Sequence, residues 1–296
     1  MKKLFLLWLI ISYISLSNPY GVTYEQSGGR FGDNLRAFSR ALWISYKYNL
    51  PLVYSPFEHG DFLRLSQIHE HETKVRQRVK KIVHLKGDID KLLAKKTRKE
   101  CLYVIPWHSD IAVDWKDVRF LQRLKKEIVP IEKLPQLKIP PNYHLVAVHV
   151  RVGSGHDSIG RGGIKDTDRR FPNKFPPKSF YVDQLRRLSE FLHNEPLYVY
   201  VFTDALEPQH IVHYFKEHVG KSNIVYDCKK KSTQRPLDIL KDFFSMTQFH
   251  YFIRPKSFFS SMADKLSNWK VIMYPESSYF ENGRLKVAKV ETVVRP

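Results

Sequence analysis

Cysteine is scarce: the chain has two, Cys101 and Cys228. That excludes a disulfide-rich scaffold and a cysteine-built zinc site, and leaves a single disulfide open. The 13 glycines and 17 prolines are scattered, which argues against repeats and low-complexity tracts. Negative charge is also short, with 30 Asp+Glu against 49 Lys+Arg and a formal net charge of +19 over 296 residues. Such a surplus favours polyanions, anionic membrane surfaces or phosphorylated small molecules, and serves solubility equally well. No nucleic-acid-binding motif accompanies it, so no specific nucleic acid is expected as a partner. Long apolar runs are missing after the first twenty residues. Against these shortages stand 43% hydrophobic and 14% aromatic residues, which exclude a disordered chain and support a large packed core. The length suits two α/β domains.

The N-terminus has the layout of a secretory signal: Lys2 and Lys3, an apolar run from Leu4 to Leu16, then small residues at Ser15 and Ser17. As a helix the run spans about 20 Å, short of the ~30 Å hydrocarbon core. A short membrane anchor or a first buried element are the alternatives. A folded pattern begins by Val22, so cleavage is expected. Export, or the lumen of a secretory pathway, follows as the expected location, with membrane association as its variant.

From Gly21 the chain reads as strand, glycine-rich turn (Gly28–Gly32), helix from near Asp33 or Asn34 to Asn49, and strand at Leu52–Tyr54, a βαβ unit. Glu70–Glu100 is basic and reads as helix broken at Gly87-Asp88. Leu102–Ile105 reads as a strand and Lys116–Ile128 as an amphipathic helix. Pro135, Pro140 and Pro141 mark a linker, which divides the chain into a leader (1–19), a first α/β domain (20–140) and a second (141–296). The second alternates clearly. Strands are expected at Leu145–Val150, Leu197–Phe202, Asn223–Tyr226, Tyr251–Ile253 and Val271–Tyr274. Helices are expected after Ser179, from Pro208 to His218, and at Leu237–Thr247 and Phe258–Leu266. A long Gly/Pro/Arg loop runs from Gly153 to Pro177. Alternation of this kind predicts a parallel sheet covered on both faces, with ligands beyond the carboxyl ends of its strands.

Those ends carry the polar residues of interest. His149-Val150-Arg151-Val152-Gly153 closes the first strand; Arg151 suits phosphate or a structural ion pair. The glycines there do not make a dinucleotide fingerprint, since the third position falls on Ser158 and no helix opens. Thr203-Asp204 follows the next strand and suits either a ligand hydroxyl or a cap for the helix at Pro208. Arg254-Pro255-Lys256-Ser257-Phe258-Phe259-Ser260-Ser261 leads into a helix, whose N-terminus suits an anion or carries an ordinary cap. Asp242, on the preceding helix, suits the paired N–H groups of guanine or a solvated face.

Together these segments resemble the metal-independent fucosyltransferases that use GDP-fucose, the group of α-1,2, α-1,6 and protein O-fucosyltransferases. Gly29-Arg30-Phe31-Gly32-Asp33-Asn34-Leu35 is similar to the Gly-Arg-Phe/Leu-Gly-Asn-Gln opening of that group. His149-Val150-Arg151-Val152-Gly153 is similar to its His-x-Arg-x-Gly motif. Asp242, Met246, Tyr251–Ile253 and Ser257–Ser260 follow a third motif, and Phe202-Thr203-Asp204 a weaker fourth. Gly60 to Leu145 shows no resemblance.

The resemblance implies an α/β fold of GT-B type, two Rossmann-like domains with a nucleotide-sugar cleft between them. It implies inverting, metal-independent transfer of fucose from GDP-fucose to a glycan or protein hydroxyl, with no cofactor beyond the donor itself. It places Arg151 on the β-phosphate, Ser257, Phe258, Phe259 and Ser260 around the diphosphate, and Asp242 on guanine. His149, Gly153 and Asp204 belong to the same pocket; Arg30, Gly32 and Asn34 belong to the cleft side of the first domain. The chain departs from the family at Asp33 for Asn, Asn34 for Gln, Phe258 for Ser, and Val152 where two branches carry a second Arg. These departures leave the acceptor open. A carboxylate at Asp33 suits a general base for the acceptor hydroxyl. The alternatives are a transferase using another GDP-sugar, and a non-catalytic polyanion-binding protein of the same fold acting through Lys74–Lys99, which also suits an anionic membrane surface. His69-Glu70-His71-Glu72 has the wrong spacing for a helical metal site, His210 and His213 lack a third ligand, and Lys229–Lys231 reads as a solvated loop.

Overall fold

The computed structural model describes residues 21–94, 101–153, 171–230 and 236–295. The leader, the loop at 154–170 with Ser158, and Lys231 lie outside them. The chain divides into two units, one ending at Glu132 and the other beginning at Lys133. No disulfide joins Cys101 and Cys228. Among the described residues no helix is long and apolar enough to cross a membrane.

The first unit runs β1 (Gly21–Tyr24), α1 (Phe31–Tyr48), β2 (Val53–Tyr54), α2 (Leu65–Ile68), β3 (Glu70–His71), α3 (Glu72–Arg76), β4 (Lys81–His84), α4 (Ile89–Ala94), β5 (Cys101–Ile105) and α5 (Val118–Glu127). Strands β1, β5 and β4 pair in parallel, with β5 central, and β2 pairs in parallel with β3. One parallel bridge, Val22 to Leu52, joins the two ladders. Strand β5 is buried along its whole length, as its apolar Cys-Leu-Tyr-Val-Ile run requires. Helix α1 turns Leu35, Phe38, Ala41 and Leu42 inward, and the Phe38 ring meets Tyr24 edge-on at 6.0 Å. It ends at Asn49 in the left-handed conformation (φ 50°), which asparagine tolerates.

Two expectations are corrected in this unit. Helix α1 starts at Phe31, with extended Arg30 at its N-cap, so Asp33 and Asn34 lie in the first turn and do not cap it. A carboxylate there is favoured by the helix dipole all the same. The basic stretch after Glu70 is not one broken helix. Lys81–His84 is an edge strand, mostly exposed, pairing with the buried β5, and the β-branched Ile82 and Val83 favour that extended pairing over the helical preference of the lysines around them. Helix α5 is as expected, capped by Asp117, which accepts the Phe120 N–H at 2.9 Å.

The second unit contains β6 (His144–Val150), α6 (Lys178–Phe191), β7 (Leu197–Thr203), α7 (Pro208–Val219), β8 (Ile224–Cys228), α8 (Pro236–Met246), β9 (Tyr251–Ile253), α9 (Phe258–Leu266), β10 (Val271–Glu281) and β11 (Arg284–Val294). The sheet order is β11-β10-β9-β6-β7-β8, parallel except for β11. Val146, Val148 and Val150 of β6 face a core shared with α6 and α7. The alternate residues face the opposite layer, where His149 meets Phe259 and Phe202 meets Phe249. Helix α6 begins at Lys178 behind an extended Pro177, so Ser179 lies inside it and is not its cap.

Strand β10 runs past Tyr274 to Glu281 and returns as β11 through Asn282 (φ 48°) and Gly283 (φ 73°). Both turn residues have the positive φ that a tight hairpin demands. The strand expected at Val271–Tyr274 is thus longer, and β11 adds a strand beyond those expected.

Candidate functional site

In the second unit the chain enters the sheet at its centre with β6, proceeds to β7 and β8 on one side, and returns to β9 and β10 on the other. The strand order therefore reverses between β6 and β9, and the carboxyl ends of these two strands are the usual ligand position in such sheets.

Arg151 stands at that end of β6. Its Nη1 lies 3.1 Å from Oδ2 of Asp204, and Oδ1 of Asp204 accepts the Val152 N–H at 2.8 Å. One carboxylate thus holds both the side chain of Arg151 and the backbone beside it. The guanidinium also lies over the Phe175 ring, 5.7 Å from its centre. Gly153 follows with φ 82°, a conformation that favours glycine. Of the two readings of Arg151, the ion pair is present. Asp204 does not cap α7: it binds Arg151, while Glu207 occupies the cap position with no side-chain cap bond.

His149 is buried near the end of β6, two residues before Arg151, with its ring 5.5 Å from Phe259. Phe259 in turn packs edge-on against Phe243 of α8 at 5.3 Å. The chain Phe243–Phe259–His149 ties α8, α9 and β6 together. Phe258, next to Phe259, is exposed.

Ser257 is the N-cap of α9. Its Oγ accepts from the Ser260 N–H at 3.4 Å and lies 2.9 Å from the Ser260 Oγ, which also lies 3.2 Å from the Pro255 carbonyl. Both serines are buried, so their hydroxyls serve the helix end. Arg254 is not a strand-end cation for a ligand. It is 5% exposed, bonds Asp264 at 3.3 Å and stacks on Tyr274 at 4.4 Å. Asp264 also receives Arg295 at 2.7 Å and Lys265 at 3.3 Å. Lys256 is exposed.

Asp242 pairs with Lys229, the residue just after β8. Burial raises the Asp242 carboxyl above its ordinary range, and Lys229 pulls it back. Lys229 is therefore not part of a solvated loop.

In the first unit, Asp33 folds back on the glycine turn. A Cβ added at Gly29 would lie 2.6 Å from Asp33 Cγ, so that position needs glycine. The Asn34 amide donates to the Gly29 carbonyl at 3.3 Å, and Gly32 is buried. Arg36 is influenced by Asp33 and Asp110, while burial lowers its pKa. His59, unnoticed in the sequence, packs against Phe31 at 6.1 Å with φ 68°. No local pattern signals it.

The remaining histidine clusters are structural. His69 bonds Glu127 at 2.8 Å, Glu70 pairs with Arg78 and Glu72 with Arg76, and Glu70–His71 is a strand. His210 and His213 pair with Glu207 and Glu217 on an exposed helix face.

No family model matches the chain, and no curated protein matches it. Among solved structures, a point mutant of Arabidopsis thaliana FUT1 in complex with GDP matches at a TM-score of 0.52 and 13% identity, over 86% of this chain and 70% of that one. The chain shares the fold of FUT1. POFUT1 in complex with GDP-fucose gives 0.49 at 12% identity, over 86% and 95% of the two chains. NodZ α-1,6-fucosyltransferase soaked with GDP-fucose gives 0.44 at 11%, over 94% and 99%. The likeness to FUT1 shows the α/β fold with Rossmann-like units that the motifs implied; the two weaker matches add nothing to it.

Proposed function

We propose that the chain is an inverting glycosyltransferase that moves fucose from GDP-fucose to a hydroxyl, without a metal. The observation that carries this is the placement of Arg151, fixed by Asp204 and Phe175, at the carboxyl end of the central strand. A fixed guanidinium there meets the diphosphate of the donor. As the sugar–oxygen bond breaks, charge grows on the departing phosphate, and Arg151 stabilises it without reorganising. The N-terminal end of α9 adds its dipole to the same task. Asp242 accepts the paired N–H groups of guanine in exchange for part of its contact with Lys229. His149 and Phe259 form the floor of the donor pocket.

Asp33 is the general base in this reading. It takes the proton of the acceptor hydroxyl as that oxygen attacks the fucose carbon. The acceptor is a glycan or a glycoprotein. Arg30, Gly32 and Asn34 shape the turn that carries Asp33. The leader directs the enzyme to an exported or secretory-lumen location, and the basic surface beginning at Lys74 suits an anionic membrane.

The test is a comparison of sugar nucleotides. GDP-fucose should raise the melting temperature more than GDP-mannose or UDP-sugars, with EDTA present throughout. Equal effects of GDP-fucose and GDP-mannose would move the assignment to another GDP-sugar.

A further inference from the structure

Trp107 is 55% exposed, immediately after β5, yet its backbone is held on both sides by side chains. Its N–H donates to Glu25 Oε2 at 3.4 Å, and its carbonyl accepts from Arg40 Nη1 at 3.3 Å. Arg40 is only 8% exposed, and burial lowers its pKa. Glu25 is itself anchored by His84 at 3.2 Å. A buried arginine and an anchored carboxylate thus fix the residue that presents an indole to water. A fixed aromatic surface loses little entropy when something covers it.

The surroundings select what covers it. Asp110, three residues on, acts electrostatically on Arg36 and Arg40, as Asp33 does on Arg36. His108 stands edge-on to the indole at 5.5 Å. Ser109 Oγ, two residues on from Trp107, is buried and makes no hydrogen bond among the described residues. An exposed apolar face whose own backbone is bonded by a carboxylate and a guanidinium, with a hydroxyl two residues on, matches a sugar. The ring C–H face of a sugar is apolar, and its hydroxyls both donate and accept. An apolar peptide side chain would satisfy the indole and leave these polar groups unused.

We infer that the carboxyl ends of β1 and β5 bind a carbohydrate, with Trp107 as the stacking platform. Identifying that carbohydrate with the acceptor rests on the transferase reading; the binding itself does not.

The test uses the full chain and ligand-observed saturation-transfer NMR. The probes are glucose, galactose, mannose, N-acetylglucosamine and their β-linked oligomers at millimolar concentration. GDP binding is measured separately on the same samples. At least one sugar should receive saturation on its ring C–H protons from the wild type. Trp107→Ala should weaken that binding roughly tenfold or more, and Trp107→Phe should recover part of it. GDP binding should be unchanged in both variants, which also shows that they are folded. Absence of sugar binding by a wild type that binds GDP would overturn the site and leave the transferase reading standing. Equal sugar binding by wild type and Trp107→Ala would overturn it too. Sugar binding without GDP binding would sustain the site and remove the transferase.

Discussion

Asp204 grips Arg151 twice, by an ion pair to Nη1 at 3.1 Å and by accepting the neighbouring Val152 N–H at 2.8 Å. This makes Asp204 the orienting group for the guanidinium. Asp204→Ala should lower GDP affinity roughly tenfold, in keeping with the loss of a charged hydrogen bond. Asp204→Asn keeps an acceptor for Val152 and should recover part of the affinity. Calorimetric titration with GDP checks both. Full affinity in Asp204→Ala would show that Arg151 needs no such support.

Asp264 is buried among Arg254, Arg295 and Lys265. Removing it leaves Arg254 charged and buried without its partner. Asp264→Ala should cost about 3–5 kcal/mol of stability in the second unit. Urea unfolding measures this. Adding Arg254→Met to Asp264→Ala should return much of the loss, because the uncompensated charge goes with it.

Ser257→Ala removes the cap of α9 and should cost about 1 kcal/mol, with Ser257→Asn close to wild type. Thermal unfolding reads the cap. GDP titration of the same variants reads whether the helix end also serves the donor; a loss of affinity larger than the loss of stability predicts would place the hydroxyl on the ligand.

Burial lowers the His59 pKa from 6.5, and the neighbouring Glu58 only partly opposes it. For a histidine with a depressed folded pKa, the stabilising contribution is present above 6.5 and is lost as pH falls through the folded value. The first unit should therefore weaken on acidification below pH 6.5. His59→Asn keeps a residue tolerant of φ 68° and removes the titration. Melting temperatures from pH 5 to 8 should fall on the acid side for wild type and stay flatter for the variant.

Asp33→Asn should slow fucose transfer by about 10²-fold or more while sparing GDP binding, as loss of a general base does. Steady-state rates at saturating donor check it. An unchanged rate would remove Asp33 from the reaction.

Much of the second unit was legible because its strands are continuous apolar runs. Leu145–Val150 and Tyr251–Ile253 announce buried parallel strands, and Pro208 sits where a helix starts. What failed did so for physical reasons. Lys81–His84 is an edge strand with three of its four residues exposed, so no burial pattern marks it. The Asn282-Gly283 pair is a hairpin-turn signal legible in the sequence. Strand-end inspection located Arg151, but the Asp204 carboxylate that holds it, the Lys229 partner of Asp242 and the support of Trp107 by Arg40 join residues distant in sequence, and spacing carries no trace of them.

The most direct measurement is GDP binding by calorimetry in EDTA at two salt concentrations, wild type against Arg151→Ala. The account predicts saturable binding by the wild type, changed little by salt, and abolished by the substitution. Absence of GDP binding by folded wild type, with retention of polyanions through the surface beginning at Lys74 that fades steeply with salt, would contradict it.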